Sequence, residues 1–277
     1  VNGGLNRTPA LDRLATESLW FEQAYAAAPV CAPSRAGLLT GRYPHETGCV
    51  SLGMRRFPAL TRIYRHLPTM ADVFAANGYV TGLVGKWHSG LGAGYHPLDR
   101  GFQTFEGFME HTMVPDYFDY ELESQGERRA FSGRYLTDEL NVRARQFVHR
   151  HRDTSFFLHL AHYAPHRPLG APDSLVQIYE AKGYDQETAT VYAMIEVMDR
   201  GIGELLATLD SLGLREKTLV IFSSDNGPDP LVTVRPNQGL RGSKYTVYEG
   251  GIHVPFLLSW PGQLTPGSSK VPLHFTD

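Results

Sequence analysis

The stretch Cys31-Ala-Pro-Ser-Arg-Ala-Gly-Leu-Leu-Thr-Gly-Arg42 predicts a short helix with an unusual N-terminal end. Pro33 suits the first turn of a helix, where a missing N–H costs nothing, and Gly41 is typical of a residue that ends one. Cys31 is therefore expected at the helix N-terminus, where unpaired N–H groups favour an anion and lower the pKa of a thiol. Arg35, on the same helical face, offers a planar set of donors. For the cysteine alone, a buried structural role is the alternative interpretation.

Outside this stretch, helical segments alternate with short, nearly continuous apolar segments. The alternation predicts an α/β fold, with helices on both sides of a largely parallel central sheet, whose ligands bind beyond the carboxyl ends of the strands. Residues 89–134 are turn-rich and predict loops that form a rim facing the substrate. We predict strands at residues 79–84, 155–161, 218–224 and 255–260, a strand and approach loop at 20–28, and helices at 8–17, 68–78, 135–152 and 186–212.

Polar residues follow the carboxyl ends of three of these strands, and the fold would bring them to one face. Asp225 and Asn226 offer adjacent carboxylate and amide oxygens, which suit a hard cation, although Asp-Asn-Gly by itself more often forms an Asx turn. Lys86 and His88 are separated by one residue, so extended backbone would place both side chains on the same side, although a Lys-x-His pair is by itself weak evidence for a site. The other residues at these strand ends are Lys86, His88, His162 and His166.

Composition sets further limits on function. The 277 residues are 42% hydrophobic and 20% charged, as in an ordinary soluble globular protein. A net charge of -3 gives no reason to expect nucleic acid or an anionic membrane surface as partner, and no apolar run is long enough to span a membrane. Only Cys31 and Cys49 are cysteines, so no disulfide framework is predicted. We interpret residues 1–277 as a single catalytic domain that is truncated at both ends.

The stretch at residues 31–42 resembles the signature Cys-x-Pro-Ser-Arg-x-x-x-Leu-Thr-Gly-Arg of type I sulfatases, the formylglycine-dependent members of the alkaline phosphatase superfamily. Four later segments resemble sulfatase segments in the same order. They are Gly85-Lys-Trp-His88, Pro165-His-Arg-Pro168, Asp225-Asn-Gly227, and Gly242-Ser-Lys244 with Tyr248-Glu-Gly-Gly-Ile-His-Val-Pro255. The resemblance implies an alkaline-phosphatase-like α/β fold and sulfate ester hydrolysis on a sulfated carbohydrate or an aryl sulfate.

The resemblance also implies a role for each matching residue. Cys31 would be converted to formylglycine, whose hydrate attacks sulfur and later expels sulfate, and Arg35 would hold that hydrate. Lys86 and Lys244 would bind the sulfate oxygens. His166 would protonate the leaving alcohol, and His88 would act as the base when sulfate leaves. Asp225, Asn226 and the converted Cys31 would ligate Ca²⁺, with Mg²⁺ as the other candidate; His162 has no firm match and is predicted to be a core or supporting residue.

One departure from the family leaves alternatives open. Sulfatases have a consecutive Asp pair after their first strand, and this sequence contains no Asp-Asp dipeptide, so we expect that pair upstream of Val1. The expected partners are a sulfate ester and the formylglycine-generating enzyme, in an extracytoplasmic compartment. The alternatives are a phosphonate or phosphodiester hydrolase of the same superfamily, and a non-catalytic anion- or glycan-binding homologue.

Overall fold

A computed structural model describes residues 5–110, 113–232 and 237–277 of the chain. Within these ranges, no helix combines the length and the apolar character that crossing a membrane requires. The helices are α1 (Pro9–Thr16), α2 (Cys31–Thr40), α3 (Pro44–Thr47), α4 (Met70–Ala76), α5 (Leu136–Arg150), α6 (Asp173–Glu180), α7 (Gln186–Ser211) and α8 (Glu249–Ile252). The strands are β1 (Leu19–Phe21), β2 (Ala24–Tyr25), β3 (Val80–Lys86), β4 (Thr104–Phe108), β5 (Asp119–Ser124), β6 (Glu127–Ser132), β7 (Phe156–Ala161), β8 (Val220–Ser223), β9 (Phe256–Ser259), β10 (Gly267–Ser269) and β11 (Leu273–His274).

The strands form three sheets, and the predicted parallel core is the middle of the largest. That sheet has the order β6-β5-β4-β3-β7, with β3 parallel to both β4 and β7. A second sheet has the order β10-β1-β9-β8, in which β8 and β9 are antiparallel, and β11 pairs with β2. The α/β fold class is therefore confirmed. The prediction of one largely parallel sheet holds for β4, β3 and β7. Among the described residues, β8 and β9 lie instead in a second, mixed sheet.

The prediction of loops throughout residues 89–134 is wrong. This segment contains β4 and the hairpin β5–β6, which extends the large sheet on one side. Tyr120 and Leu122 on β5 are 3% and 1% exposed, and their neighbours Asp119 and Glu121 face solvent. This alternation is a signal of a half-buried strand, and the surrounding glycines and aromatic residues hid it.

The apolar strand β8 is less covered than its sequence predicts. Ile221 on β8 is 52% exposed, and most residues of β7 are also only partly buried. Within the described part of the chain, β7 pairs only with β3, and β8 pairs only with β9. Each of these strands therefore keeps one unpaired edge, and both strands end near the polar residues singled out above.

Helix α1 begins at the predicted position but is capped differently. Thr8 precedes it, yet its side chain bonds to Asp12 instead of a free N–H of the helix. The carboxylate of Asp199 on α7 accepts the backbone N–H groups of Ala10 and Leu11 at 3.0 and 2.7 Å. A buried acid distant in sequence thus replaces the local cap and ties α1 to α7.

Gly85, the residue before Lys86, is required by close backbone packing. Its φ is 108°, and a Cβ there would lie 2.0 Å from the carbonyl oxygen of Ala161 on β7. We expect Gly85→Ala to lower the free energy of unfolding by about 2–5 kcal/mol, from backbone strain and overpacking. Gly53→Ala is the matched control, because the nearest atom to its Cβ is 3.4 Å away. Urea denaturation measures both, and equal stability of the two variants would contradict the packing account.

Candidate active site

The predicted helix at residues 31–42 is observed as α2. Val30 precedes it with extended backbone, and Gly41 ends it in the left-handed conformation with φ 63°. Cys31 is the first residue of the helix and is 3% exposed, so its sulfur lies at the end where N–H groups lack helical partners. The sequence thus correctly located both ends of the element that carries the candidate nucleophile.

Residue 31 lies in a strongly cationic environment. Burial by itself would raise the pKa of the Cys31 thiol, but Lys86, a hydrogen bond with His166 and Lys244 outweigh it and lower that pKa to about 6. These surroundings therefore favour the ionised form of the unconverted residue. Any group that occupies its position, including a sulfuryl oxygen, meets the same stabilisation of negative charge.

Arg35 links the helix to the ends of two strands. Its Nε donates to Oδ2 of Asp225 at 2.7 Å, and its Nη1 donates to the backbone oxygen of Lys86 at 3.4 Å. Burial opposes ionisation of Asp225, yet Arg35, Lys86 and Lys244 hold the pKa of this carboxyl below its usual value. Three cations therefore surround one carboxylate, and the excess positive charge favours an anionic ligand.

Both candidate sulfate-binding lysines are buried. Lys86 is 2% exposed and Lys244 is 4% exposed, and burial lowers the pKa of the Lys86 ammonium. Lys244 Nζ lies 3.8 Å from Oδ2 of Asp229, and the same oxygen accepts a hydrogen bond from Arg167 Nε at 3.0 Å. Asp229 was not predicted as a site residue, and its only signal in the sequence is its place two residues beyond Asp225-Asn-Gly227.

The two histidines that match the family differ in their surroundings. His166 contacts Cys31, and its Nδ1 lies 2.6 Å from the carbonyl oxygen of Arg167. His88 is 4% exposed, and its Nε2 lies 3.2 Å from the carbonyl oxygen of Leu52. Burial and then the charge of Lys86 hold the pKa of His88 well below its usual value, so this ring is neutral.

The backbone at His88 differs from the extended conformation predicted for Lys86 and His88. Extended backbone would place both side chains on one side, but His88 has φ 62° and lies just beyond the end of β3. Its Nδ1 is buried and has no partner among the residues that the structure describes. His88 also interacts electrostatically with Lys86, Arg35 and Asp225, so the turn still keeps it beside the site.

His162 belongs to the packing behind the site. Its Nε2 lies 2.7 Å from Oδ1 of Asn141 on α5, and burial lowers its pKa to about 4. A neutral ring that donates to an amide oxygen connects β7 to α5, in agreement with the supporting role predicted for this residue.

A cation would find two oxygen ligands on the loop after β8. Asn226 Nδ2 donates to the carbonyl oxygen of Gly227 at 2.8 Å, while Asn226 Oδ1 is buried without a partner among the described residues. Asp225 binds Arg35 through Oδ2 only. Across residues 5–110, 113–232 and 237–277, no three His, Cys, Asp or Glu side chains cluster as a metal site. The orphaned amide oxygen therefore fits a hard cation whose remaining ligands lie elsewhere.

Comparison with known proteins identifies the family of this chain. The family model described as Sulfatase matches residues 1–277. The chain is 32% identical to human arylsulfatase A, covering 94% of this chain and 55% of that protein. It is also 32% identical to human N-acetylgalactosamine-6-sulfatase, covering 94% of this chain and 53% of that protein.

A solved structure agrees over nearly the whole chain. The crystal structure of i-CgsB in complex with neocarrahexaose superposes with a TM-score of 0.87 at 31% identity, covering 97% of this chain and 64% of that one. The chain thus spans about half the length of the two human relatives. With its signature at the start of α2 and a family match along its full length, this chain belongs to the sulfatase family.

Proposed function

We propose that the protein is a sulfuric ester hydrolase that uses residue 31, converted to formylglycine, together with a divalent cation. The observation that carries the proposal is the convergence of Cys31, Arg35, Lys86 and Lys244 on one buried point at the N-terminus of α2. A sulfate ester is an anion, and its negative charge moves toward the leaving oxygen as the bond between sulfur and that oxygen breaks. Fixed cations in a site that excludes water stabilise that charge best.

Each residue has a role that follows from its position. Formylglycine supplies a hydrated aldehyde, so that a single carbon offers one hydroxyl for attack on sulfur and a second for release of sulfate. Lys86 and Lys244 bind the sulfuryl oxygens, and Arg35 holds residue 31 beside Asp225. His166 exchanges a proton with the leaving oxygen through Nε2, because its Nδ1 is bound to Arg167.

His88 accepts the proton in the later, sulfate-releasing half of the reaction. Its ring is neutral, as a base must be, and its Nδ1 is free to accept because Nε2 already donates to Leu52 among the described groups. The burial that keeps the ring neutral also keeps water from that nitrogen.

A cation at Asp225 and Asn226, Ca²⁺ or Mg²⁺, would supply positive charge that polarises a sulfuryl oxygen. Residue 31 as formylglycine would be a third ligand. A Ca²⁺ shell takes about six to eight oxygens, so further protein ligands are required. A strand between the unpaired edges of β7 and β8 would end beside Asp225, and an Asp pair at its end would complete the shell. We propose that an upstream segment forms this strand and so completes a single catalytic domain.

Removing the orphaned oxygen tests the metal proposal. We expect Asn226→Ala to lower the affinity for Ca²⁺ by at least about 10–100-fold. Loss of a residue that only supports a metal ligand already costs about that much, and Asn226 is proposed to be a ligand itself. Titration calorimetry of the chelator-treated, full-length protein measures this loss. Asn77→Ala is the matched control, since the Asn77 amide only closes the C-terminal turn of α4. Unchanged affinity in Asn226→Ala would exclude Asn226 as a ligand.

The relatives support a carbohydrate substrate. One carries N-acetylgalactosamine in its name and one was solved with a neocarrahexaose, so we propose a sulfated glycan as substrate, with an aryl sulfate as surrogate. Tyr245, which is 43% exposed and whose hydroxyl lies 3.4 Å from Nη2 of Arg167, offers an aromatic surface beside the residue that follows His166. We further propose an extracytoplasmic location and maturation by the formylglycine-generating enzyme.

Turnover of the full-length, metal-loaded protein tests the reaction class. We expect para-nitrophenyl sulfate to be hydrolysed with a higher kcat/KM than bis(para-nitrophenyl) phosphate. The reverse order would favour a phosphonate or phosphodiester hydrolase. Absence of both activities, in protein whose residue 31 is fully converted, would favour a binding protein without catalysis.

A further inference from the structure

Three buried tyrosines hold the segment that carries His166. Each hydroxyl donates to a different backbone carbonyl of residues 166–170: Tyr117 to His166 at 3.1 Å, Tyr163 to Arg167 at 2.6 Å and Tyr135 to Gly170 at 2.9 Å. Their side chains are 0–7% exposed, and the rings of Tyr117 and Tyr163 stack with centroids 5.5 Å apart. We call Tyr117, Tyr135 and Tyr163 the tyrosine clasp.

The clasp determines which nitrogen of His166 faces the site. A carbonyl oxygen only accepts hydrogen bonds, so the 2.6 Å contact between His166 Nδ1 and the Arg167 oxygen requires a proton on Nδ1. That oxygen has two lone pairs, and the Tyr163 hydroxyl occupies the other. Because Nδ1 is bound to the Arg167 oxygen, Nε2 is the nitrogen that remains for the hydrogen bond between the His166 side chain and Cys31.

Tyr163 supports the site through its ring as well as its hydroxyl. Its ring stacks on the His166 imidazole with centroids 4.7 Å apart, and Lys86 Nζ lies 5.4 Å from the centroid of the same ring. In addition, the backbone N–H of His166 donates to the carbonyl oxygen of Tyr163 at 2.9 Å. One buried side chain therefore touches both the candidate proton donor and a candidate sulfate ligand.

We propose that the tyrosine clasp is a positioning device that holds a proton on Nδ1 of His166, so that Nε2 faces residue 31 and is the nitrogen that takes up a proton and passes it to the leaving oxygen. The catalytic half of this inference rests on the proposed function, whereas the tautomer does not. Tyr163 never touches the substrate in this account. It acts through Arg167, because a carbonyl that is held in place favours a proton on Nδ1 and keeps the imidazole ring from flipping.

Tyr163→Phe separates positioning from packing, because it keeps the ring and removes only the hydroxyl. We expect kcat for a sulfate ester with a poor leaving group, such as a sulfated sugar, to fall about 3–10-fold, as one lost hydrogen bond allows. We expect para-nitrophenyl sulfate, which needs little protonation, to lose less than about 2-fold, and KM to stay unchanged for both. Tyr184→Phe is the matched control, since that hydroxyl also faces a backbone carbonyl, of Leu5 at 3.5 Å, away from the site.

The tautomer is measured without substrate. In ¹⁵N-histidine spectra of the full-length protein, assigned by a His166→Gln variant, we expect the Nδ1–H pattern for His166 and a mixture of tautomers in Tyr163→Phe. A pure Nε2–H pattern in the unaltered protein, or an equal loss of kcat for both leaving groups, would overturn the proposal. An inactive protein with the Nδ1–H pattern would refute the proposed function and leave the clasp standing. If Tyr163→Phe does not fold, Tyr117→Phe repeats the test, because the Tyr117 hydroxyl donates to the backbone carbonyl of His166.

Discussion

The Cys31→Ser variant is expected to release one equivalent of alcohol per protein molecule and then stop. A serine hydroxyl at the N-terminus of α2 meets the same cations, Lys86 and Lys244, and can attack sulfur once. It lacks a second hydroxyl on the same carbon, so sulfate leaves only if water attacks a crowded, anionic sulfur. We expect steady-state kcat to fall by at least about 10⁴-fold, since losing the nucleophile of a hydrolase costs about that much or more.

The trapped state gives this prediction a second readout. Intact mass spectrometry after incubation with substrate should show one sulfate bound per chain in Cys31→Ser and none in the unaltered protein. Cys49→Ser is the matched control: Cys49 is also fully buried, but burial raises the pKa of its thiol to about 12, so it is unsuited to nucleophilic attack. Sustained turnover by Cys31→Ser would refute the proposed nucleophile.

The Lys86→Met variant is expected to lose activity while keeping or gaining stability. Lys86 is 2% exposed, and desolvation of its ammonium opposes its charge. A methionine of similar length removes that cost, so the free energy of unfolding should not fall. In the reaction, one fixed positive charge on the sulfuryl oxygens is lost, and we expect kcat/KM to fall by about 10²–10³-fold.

A matched lysine shows whether charge alone matters. Lys182 is exposed and lies over the ring of Tyr179 at 4.7 Å, so Lys182→Met removes an equal charge away from the site and should leave kcat/KM unchanged. Parallel thermal unfolding and steady-state kinetics of both variants measure the effects. If Lys86→Met kept full activity, or lost activity only through unfolding, Lys86 would have no catalytic role.

The sequence predicted best where local chemistry determines local structure. The start of α2 at Cys31 and its end at Gly41 follow from helix-terminus preferences, and the end of β3 at Lys86 lies close to the predicted position. The family signature located the polar residues that the fold brings together. These features depend on a few neighbouring residues, so a pattern within the sequence contains them.

Features that depend on distant partners or on irregular turns were missed. The β5–β6 hairpin was hidden because residues 89–134 contain many turn residues, although Tyr120 and Leu122 alternate with exposed neighbours. Asp199 caps α1 from a helix far along the chain. The hydroxyl of Tyr163 meets Arg167 through a turn of the chain that no periodicity reveals. The contact of Asp199 is tertiary, so that residue alone carries no signal of it, whereas the hairpin and the Tyr163 contact are local and lie in irregular, turn-rich sequence.

The most direct test of the account is steady-state release of inorganic sulfate by the full-length protein produced with and without the formylglycine-generating enzyme. We expect the rate to rise in proportion to the fraction of chains converted at residue 31, and we expect unconverted Cys31 protein to give no sustained release. Equal rates in both preparations, or no release from fully converted and metal-loaded protein, would contradict it.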